Sequence, residues 1–288
     1  MKNAGGGNIW QRFEAADPRW LQVGFLLTFL ALGVRLDVVP WWEGLLTVGA
    51  AAATQALALR LLKLPDVGYL SPVITGLGLA LLLRSDLVWL PPLAAALGIA
   101  GKFGLRFRGK HLFNPANLGL VLALAATPHA WVSPSQWREE TLLLAWFAIL
   151  GLAVTQRAFR SDISLGFLAS WFALKAGRVL YLGQQPDVLR HQLLTGGLIV
   201  FAFFMISDPK TTPDHRAGRL LFAAAVASLA FVLQHGFWVQ PALFWSLFAL
   251  APLTPILDGL FRADAFRWPS SRSPEPPCLS PASQSSLS

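Results

Sequence analysis

Three short stretches of this chain combine residue types that can do chemistry. The first is Lys110-His111-Leu112-Phe113-Asn114-Pro115-Ala116-Asn117. Asn114 followed by Pro115 is an N-cap with proline at the first helical position, so a helix should begin there with free N–H groups and the positive end of its dipole. Lys110 and His111 stand just before it, and together these groups suit an anion or a polar ring. A capped helix with ordinary topology-setting lysines is the plainer reading. The second stretch, Phe204-Met205-Ile206-Ser207-Asp208-Pro209-Lys210-Thr211-Thr212-Pro213, sets Asp208 before a proline, which disfavours helix at that point. The hydroxyls of Ser207, Thr211 and Thr212 can close a compact turn there. Such a turn can hold a flavin, a quinone headgroup or a cation, or simply finish a helix. In the third, Ala251-Pro252-Leu253-Thr254-Pro255-Ile256-Leu257-Asp258, two prolines break an apolar run close to Asp258. That carboxylate is costly if buried without a partner, and in such a place is more often interfacial or paired than a proton carrier.

The elements that must position these stretches are apolar. The chain has 288 residues, 55% hydrophobic against 13% charged, which is too apolar for a soluble surface. Ten apolar segments run roughly over Trp20–Val34, Leu45–Leu59, Tyr69–Leu83, Leu87–Gly101, Pro115–Ala126, Thr141–Thr155, Ile163–Leu182, Gln192–Ile206, Leu220–Leu233 and Pro241–Phe261. At about 20 residues per span they leave no room for a soluble catalytic domain. The expected organisation is a leader over 1–19 with a short interfacial helix, a membrane domain over 20–261 and a Pro/Ser-rich disordered tail over 262–288. No signal-peptide pattern is present, so the first span is expected to be retained.

Charge fixes the orientation. With the N-terminus inside, 17 of the 23 Lys and Arg fall on the cytoplasmic side. The expectation is therefore a multi-pass protein of the bacterial inner membrane with both termini cytoplasmic. The net charge of +8 is then topology, and nucleic acid is not an expected partner; the lipid bilayer is. Most of the 12 Trp lie near predicted span ends, as headgroup anchors do. Lys175 and Arg178 are expected to snorkel outward. The single cysteine, Cys278, excludes a four-cysteine iron–sulfur or zinc site on this chain, and no histidine pair has metal-ligand spacing.

A faint internal echo links the third and eighth segments. Thr75-Gly76-Leu77 ends in Leu83-Arg84-Ser85-Asp86, and Thr195-Gly196-Gly197-Leu198 ends in Ile206-Ser207-Asp208, at an interval of 120 residues for the threonines and 122 for the aspartates. Two sets of five spans, about 20–126 and 141–261, would insert in opposite directions, and short or interrupted spans at matching places would then mark the binding site. Thr75, Asp86, Thr195 and Asp258 are the candidates for an ion or polar pathway. The predicted fold class is an all-α integral membrane protein of ten transmembrane helices arranged as two inverted five-helix repeats.

Taken together, the three stretches resemble the NqrB/RnfD family, the ten-span membrane subunits of the sodium-pumping NADH:quinone oxidoreductase and of the Rnf electron transport complex. The resemblance covers about Tyr69 to Phe261. It implies a fold shared with urea-transporter-like channels and electron transfer beside flavins, coupled to Na+ or H+ movement, within a complex of redox partner subunits. Two departures matter. The family's covalent FMN sits on a threonine in a long insert between spans five and six, and here that connection is only Thr127 to Glu140, so no covalent FMN is expected. Gln240-Pro241 and Ala251 stand where the family has a Glu and an Asn, which weighs against ion coupling. Shortened stand-alone relatives of this family, including those of the UnbU type, also occur.

The leading expectation is a membrane subunit of an Rnf/Nqr-like complex. It binds FMN, riboflavin or a quinone non-covalently through Lys110, His111, Asn114, Ser207, Asp208, Thr211 and Thr212, and is at most a subunit without catalysis of its own. The alternatives are a urea-transporter-like channel or carrier for a small solute or ion, and a membrane assembly scaffold.

Overall fold

Asp17 accepts the backbone N–H of Arg19 at 2.9 Å, which starts α1 (Pro18–Arg35) with proline in its first turn. The computed structural model describes residues 17–64, 68–133, 141–193 and 195–266. Residues 1–16, most of the expected interfacial helix, and the tail beyond 266 with Cys278 lie outside the described residues. After α1 come α2 (Trp41–Leu61), α3 (Leu70–Leu82), β1 (Leu83–Ser85), α4 (Leu90–Gly104), β2 (Arg106–Phe107), β3 (Lys110–His111), α5 (Pro115–Ala126) and β4 (Ala130–Val132). The second half holds α6 (Thr141–Arg157), α7 (Ser161–Tyr181), α8 (Pro186–Leu193) and α9 (Gly196–Val200), which runs on as a π-helix (Phe201–Met205). It closes with α10 (Arg216–Gly236), α11 (Ala242–Leu250) and α12 (Leu253–Leu260).

By length and composition α2, α7 and α10 can each cross a membrane alone, at 21 residues apiece. Two bent pairs, α8 with α9 and its π-helical extension and α11 with α12, bring the number to five among the described residues. The second pair bends by 52° where Pro252 withholds a backbone N–H. With this many apolar helices the chain is a multi-pass membrane protein. Trp20, Trp41, Trp89, Trp131 and Trp238 are exposed near the helix ends.

The all-α expectation needs amendment. Two antiparallel strand pairs join the helices, β1 with β4 (Leu83 opposite Val132) and β2 with β3 (Arg106 opposite His111). Strands of two or three residues are too short to leave an alternating pattern in a sequence.

Close packing fixes the helices that matter most for the cavity described below. A Cβ on Gly98 of α4 would lie 2.1 Å from the carbonyl oxygen of Pro115, and one on Gly119 of α5 would lie 2.2 Å from that of Ala94. The two backbones therefore touch, as small residues allow within a membrane. A continuous core of Phe25, Phe29, Phe147 and Phe204 links α1 and α6 to the π-helix, with ring centroids 4.0–5.5 Å apart. In the first half α2 packs on α4, and in the second α7 packs on α10.

Buried charges tie helices together. Arg84 Nη1 donates to Glu43 Oε1 at 3.0 Å, joining β1 to the start of α2. Lys175 does not snorkel; it is 1% exposed. Its Nζ reaches Gln234 Oε1 at 2.7 Å and His235 Nε2 at 3.0 Å, and lies 4.6 Å from the centre of the Trp171 ring. Acceptors on α10 hold the ammonium inward, which outweighs the pull toward the headgroups.

Candidate functional site

The site grows from the hairpin between α4 and α5. Arg108 (φ 48°) and Gly109 (φ 83°) both adopt left-handed backbone, the two-residue turn that matches strand twist, and they fold β3 back on β2. Successive residues of β3 face opposite ways. His111 borders a cavity, while Lys110 turns to the other side, where its Nζ lies 2.7 Å from both Asp214 Oδ2 and Asp258 Oδ2. Asn114 then caps α5 by accepting the backbone N–H of Asn117 at 3.1 Å.

The second half supplies the facing wall. The π-helix ends in a turn in which Ser207 Oγ donates to the carbonyl of Phe203 and the Thr211 and Thr212 hydroxyls donate to that of Asp208. Asp208 Oδ1 accepts the Lys210 backbone N–H at 3.0 Å. Asn114 Nδ2 crosses to Asp208 Oδ2 at 3.3 Å and to the Met205 carbonyl at 3.4 Å. π-Helical turns recur at functional sites, and here the turn delivers Ser207 and Asp208 to the N-terminus of α5.

Between these walls lies a cavity of about 590 Å³. This is within the range of small-molecule and cofactor pockets, about 300–1,000 Å³. Thr75, His111, Asn114, Ser207 and Asp208 border it, with Phe103, Phe203 and Phe204 as aromatic walls and Arg19, Lys102, Arg106 and Lys210 as cations. Burial raises the pKa of Asp208 above the usual carboxylate range, against the pull of the Lys210 N–H and the Thr211 hydroxyl. Burial lowers that of Lys210, and it pushes His111 down to about 3, helped by Lys102, Arg106 and Lys210. His111 is therefore a neutral imidazole, and its buried Nδ1 has no hydrogen-bond partner among the described residues. An aromatic-walled pocket with cations and an unsatisfied ring nitrogen fits a planar polar ring such as a flavin or quinone.

Several expected residues lie elsewhere. Thr211 and Thr212 hold the turn and do not border the cavity, although Thr254 Oγ1 ties α12 to the Thr211 carbonyl at 3.0 Å. Asp258 belongs to the Lys110 cluster and also accepts the Asp214 N–H at 2.8 Å. Burial beside Arg219 pushes the pKa of Arg160 down to about 10, although Asp214 lies 3.4 Å away. Thr195 caps α9. Asp86 pairs with His129 at 2.8 Å on an exposed edge beyond β1. Among the described residues no group of His, Cys, Asp and Glu is arranged for a metal ion. Sequence reading missed Lys102, Gln55 and Ser71, which meet inside the first half, because a lysine at the end of an apolar helix reads as a topology charge.

Comparisons with known proteins bear on this geometry. The profile of the NQR2, RnfD, RnfE family matches residues 136–267. The D subunit of the ion-translocating oxidoreductase complex of Stutzerimonas stutzeri is 31% identical over 133 residues, 44% of this chain and 35% of the relative. Its counterpart in Tolumonas auensis is 34% identical over 128 residues, 44% of this chain and 36% of the relative. The counterpart in Pseudomonas paraeruginosa is 28% identical over 282 residues, covering 73% of this chain and 78% of the relative. In the first two matches the chain spans about a third of the relative's length.

Proposed function

We propose that this chain, whose residues 136–267 match the profile of the NQR2, RnfD, RnfE family, is the membrane subunit of an Rnf/Nqr-like electron transport complex and holds a flavin or a quinone non-covalently in its cavity. The observation that carries this reading is the junction of the two polar motifs, from opposite halves of the chain, on a cavity large enough for such a ring. His111, Asn114 and Ser207 are the groups to orient the ring, and Phe103, Phe203 and Phe204 to exclude water from it. Arg19, Arg106 and Lys210 are the cations for a phosphate or for electron-rich ring edges. When bound, a flavin or quinone supplies reversible one- and two-electron chemistry that no side chain here provides. Partner subunits deliver and remove the electrons.

The wider architecture in this proposal is ten spans in two inverted halves, a membrane domain over 20–261, a bacterial inner-membrane location and cytoplasmic termini. It is supported by α2 and α7, both 21 residues long and starting 120 positions apart, and by the matching α2–α4 and α7–α10 packing. Thr75 borders the cavity and would belong to its polar lining, whereas Asp86, Thr195 and Asp258 are spent on local contacts. Movement of ions in step with electron transfer is a property of the assembled complex in this reading.

The test is purification of the full chain in detergent, with and without co-expressed neighbouring genes, followed by absorbance and electron paramagnetic resonance. Flavin absorbance, a semiquinone signal or extractable quinone is expected. Absence of all three, together with uptake of urea-sized solutes by liposomes containing the protein, would replace this reading with that of a channel.

A further inference from the structure

Lys102 lies in the last turn of α4, is 8% exposed and borders the cavity. Its Nζ donates to Gln55 Oε1 at 2.8 Å and to Ser71 Oγ at 2.9 Å. Gln55 is held in turn by donating from Nε2 to the Gly68 carbonyl at 2.6 Å. Three helices therefore fix one ammonium, and every side-chain group it touches among the described residues is neutral. The other cations of the polar clusters differ. Arg84 has Glu43, Lys110 has Asp214 and Asp258, and Arg219 has Asp162. Lys175 resembles Lys102 in having only neutral acceptors, but it does not border the cavity.

Among the described residues no carboxylate lies within ion-pair distance of Lys102. The acid on the same cavity is Asp208, whose oxygens are engaged by the Asn114 amide and the Lys210 backbone. The remaining charged groups on the wall, Arg19, Arg106 and Lys210, are cations and repel Lys102. Asp208 attracts Lys102 only from beyond ion-pair distance, and a buried ammonium without a counter-charge in contact is costly unless something touching it becomes negative. Two of its three N–H groups are committed to Gln55 and Ser71, which leaves one for the cavity.

We infer that Lys102 is the specificity-determining cation of the cavity, held by Gln55 and Ser71 against the ring edge that gains negative charge on reduction, so that the pocket favours the reduced, anionic form of its ligand. The inference rests on the proposed cofactor site and deepens it. A flavin's pyrimidine edge and a quinone's carbonyl share the relevant chemistry, because both collect charge on atoms that accept from an N–H.

The experiment uses the full chain in detergent, loaded with riboflavin in one arm and a short-chain ubiquinone in the other, and measures midpoint potential and affinity for the oxidised form. Lys102→Met is expected to lower the preference for the reduced form by about tenfold, which for a one-electron couple is a fall of about 59 mV. Lys102→Arg keeps the charge and should recover most of the shift. Gln55→Leu and Ser71→Ala keep the charge but release the ammonium, so each should lower the potential by a smaller step. These two variants decide the matter even if Lys102→Met does not insert. An unmoved potential in these variants, or equal losses of affinity for oxidised and reduced ligand, overturns the inference alone. Failure of the wild-type chain to bind either ligand overturns the cofactor site and this inference with it.

Discussion

Asn114 and Asp208 lie 94 residues apart in the chain and meet through an Nδ2–Oδ2 hydrogen bond of 3.3 Å. One amide thereby caps α5 with its oxygen and anchors the turn after the π-helix with its nitrogen. Asn114→Ala should cost both. Losing the cap is worth about 1 kcal/mol, and leaving a buried acceptor short of a donor adds about 1–3 kcal/mol. Thermal unfolding in detergent, followed by tryptophan fluorescence, should show the loss together with weaker riboflavin binding. Unchanged values for both would refute the two-sided role.

Lys110 should behave differently. Lys110→Ala leaves Asp214 and Asp258 facing each other without their shared cation. Because these groups are mostly shielded, a loss of about 2 kcal/mol is expected. Ligand affinity should stay within about twofold, since Lys110 faces away from the cavity. A large loss of binding with little loss of stability would place Lys110 in the pocket after all.

The acid limb of the stability profile should belong to His111. An imidazole in the unfolded chain takes up a proton near pH 6.5, whereas the buried one does so only near 3. As pH falls, the unfolded state binds the proton first. The contribution of neutral His111 is therefore complete above about 6.5 and is lost on the way down to about 3. His111→Gln should flatten the profile over that window, and a profile as steep as that of the wild type would assign the loss to another group.

Asp208 has the opposite sign. Its pKa is raised by burial, so as pH rises the unfolded carboxylate releases its proton first. Its contribution is whole below the ordinary carboxylate pKa of about 3.9 and declines as pH climbs through the raised native value. Asp208→Asn removes that decline. The check is a pH series of melting temperatures, in which the variant must lose less than the wild type toward high pH whatever its absolute level.

Gly98 has no room to grow. A Cβ there meets the Pro115 carbonyl oxygen at 2.1 Å, and backbone cannot step aside as a flexible side chain would. Gly98→Ala should cost about 1–3 kcal/mol, as overpacking usually does, and shift the start of α5. Lower yield of monodisperse protein and weaker riboflavin binding are expected, while Gly104→Ala, which meets nothing within 4 Å, serves as the neutral control.

The legible parts of this site were the ones decided locally. Asn114-Pro115 announces a cap, and Asp208-Pro209 announces the end of a helix, because both depend on backbone chemistry within a few residues. Lys110 and His111 read as partners because they are adjacent, but in a strand adjacency means opposite faces. Lys102, Ser71 and Gln55 were silent for a different reason. Lys102 is separated from them by 31 and 47 residues, and only the packing of α2, α3 and α4 brings the three together. The threonines of the internal echo also differ in place, Thr75 within α3 donating to the Ser71 carbonyl and Thr195 capping α9, so shared letters did not mean a shared position.

The cavity draws its walls from both halves of the chain, with Lys102, His111 and Asn114 from the first and Val154, Thr155, Phe203 and Asp208 from the second. During synthesis the pocket therefore has no far side until residues beyond Asp208 have entered the membrane. A nascent first half offers the same cations with nothing to enclose them. On the proposed function, loading is a late event in biogenesis, since both halves must be inserted and docked before the cavity has two walls.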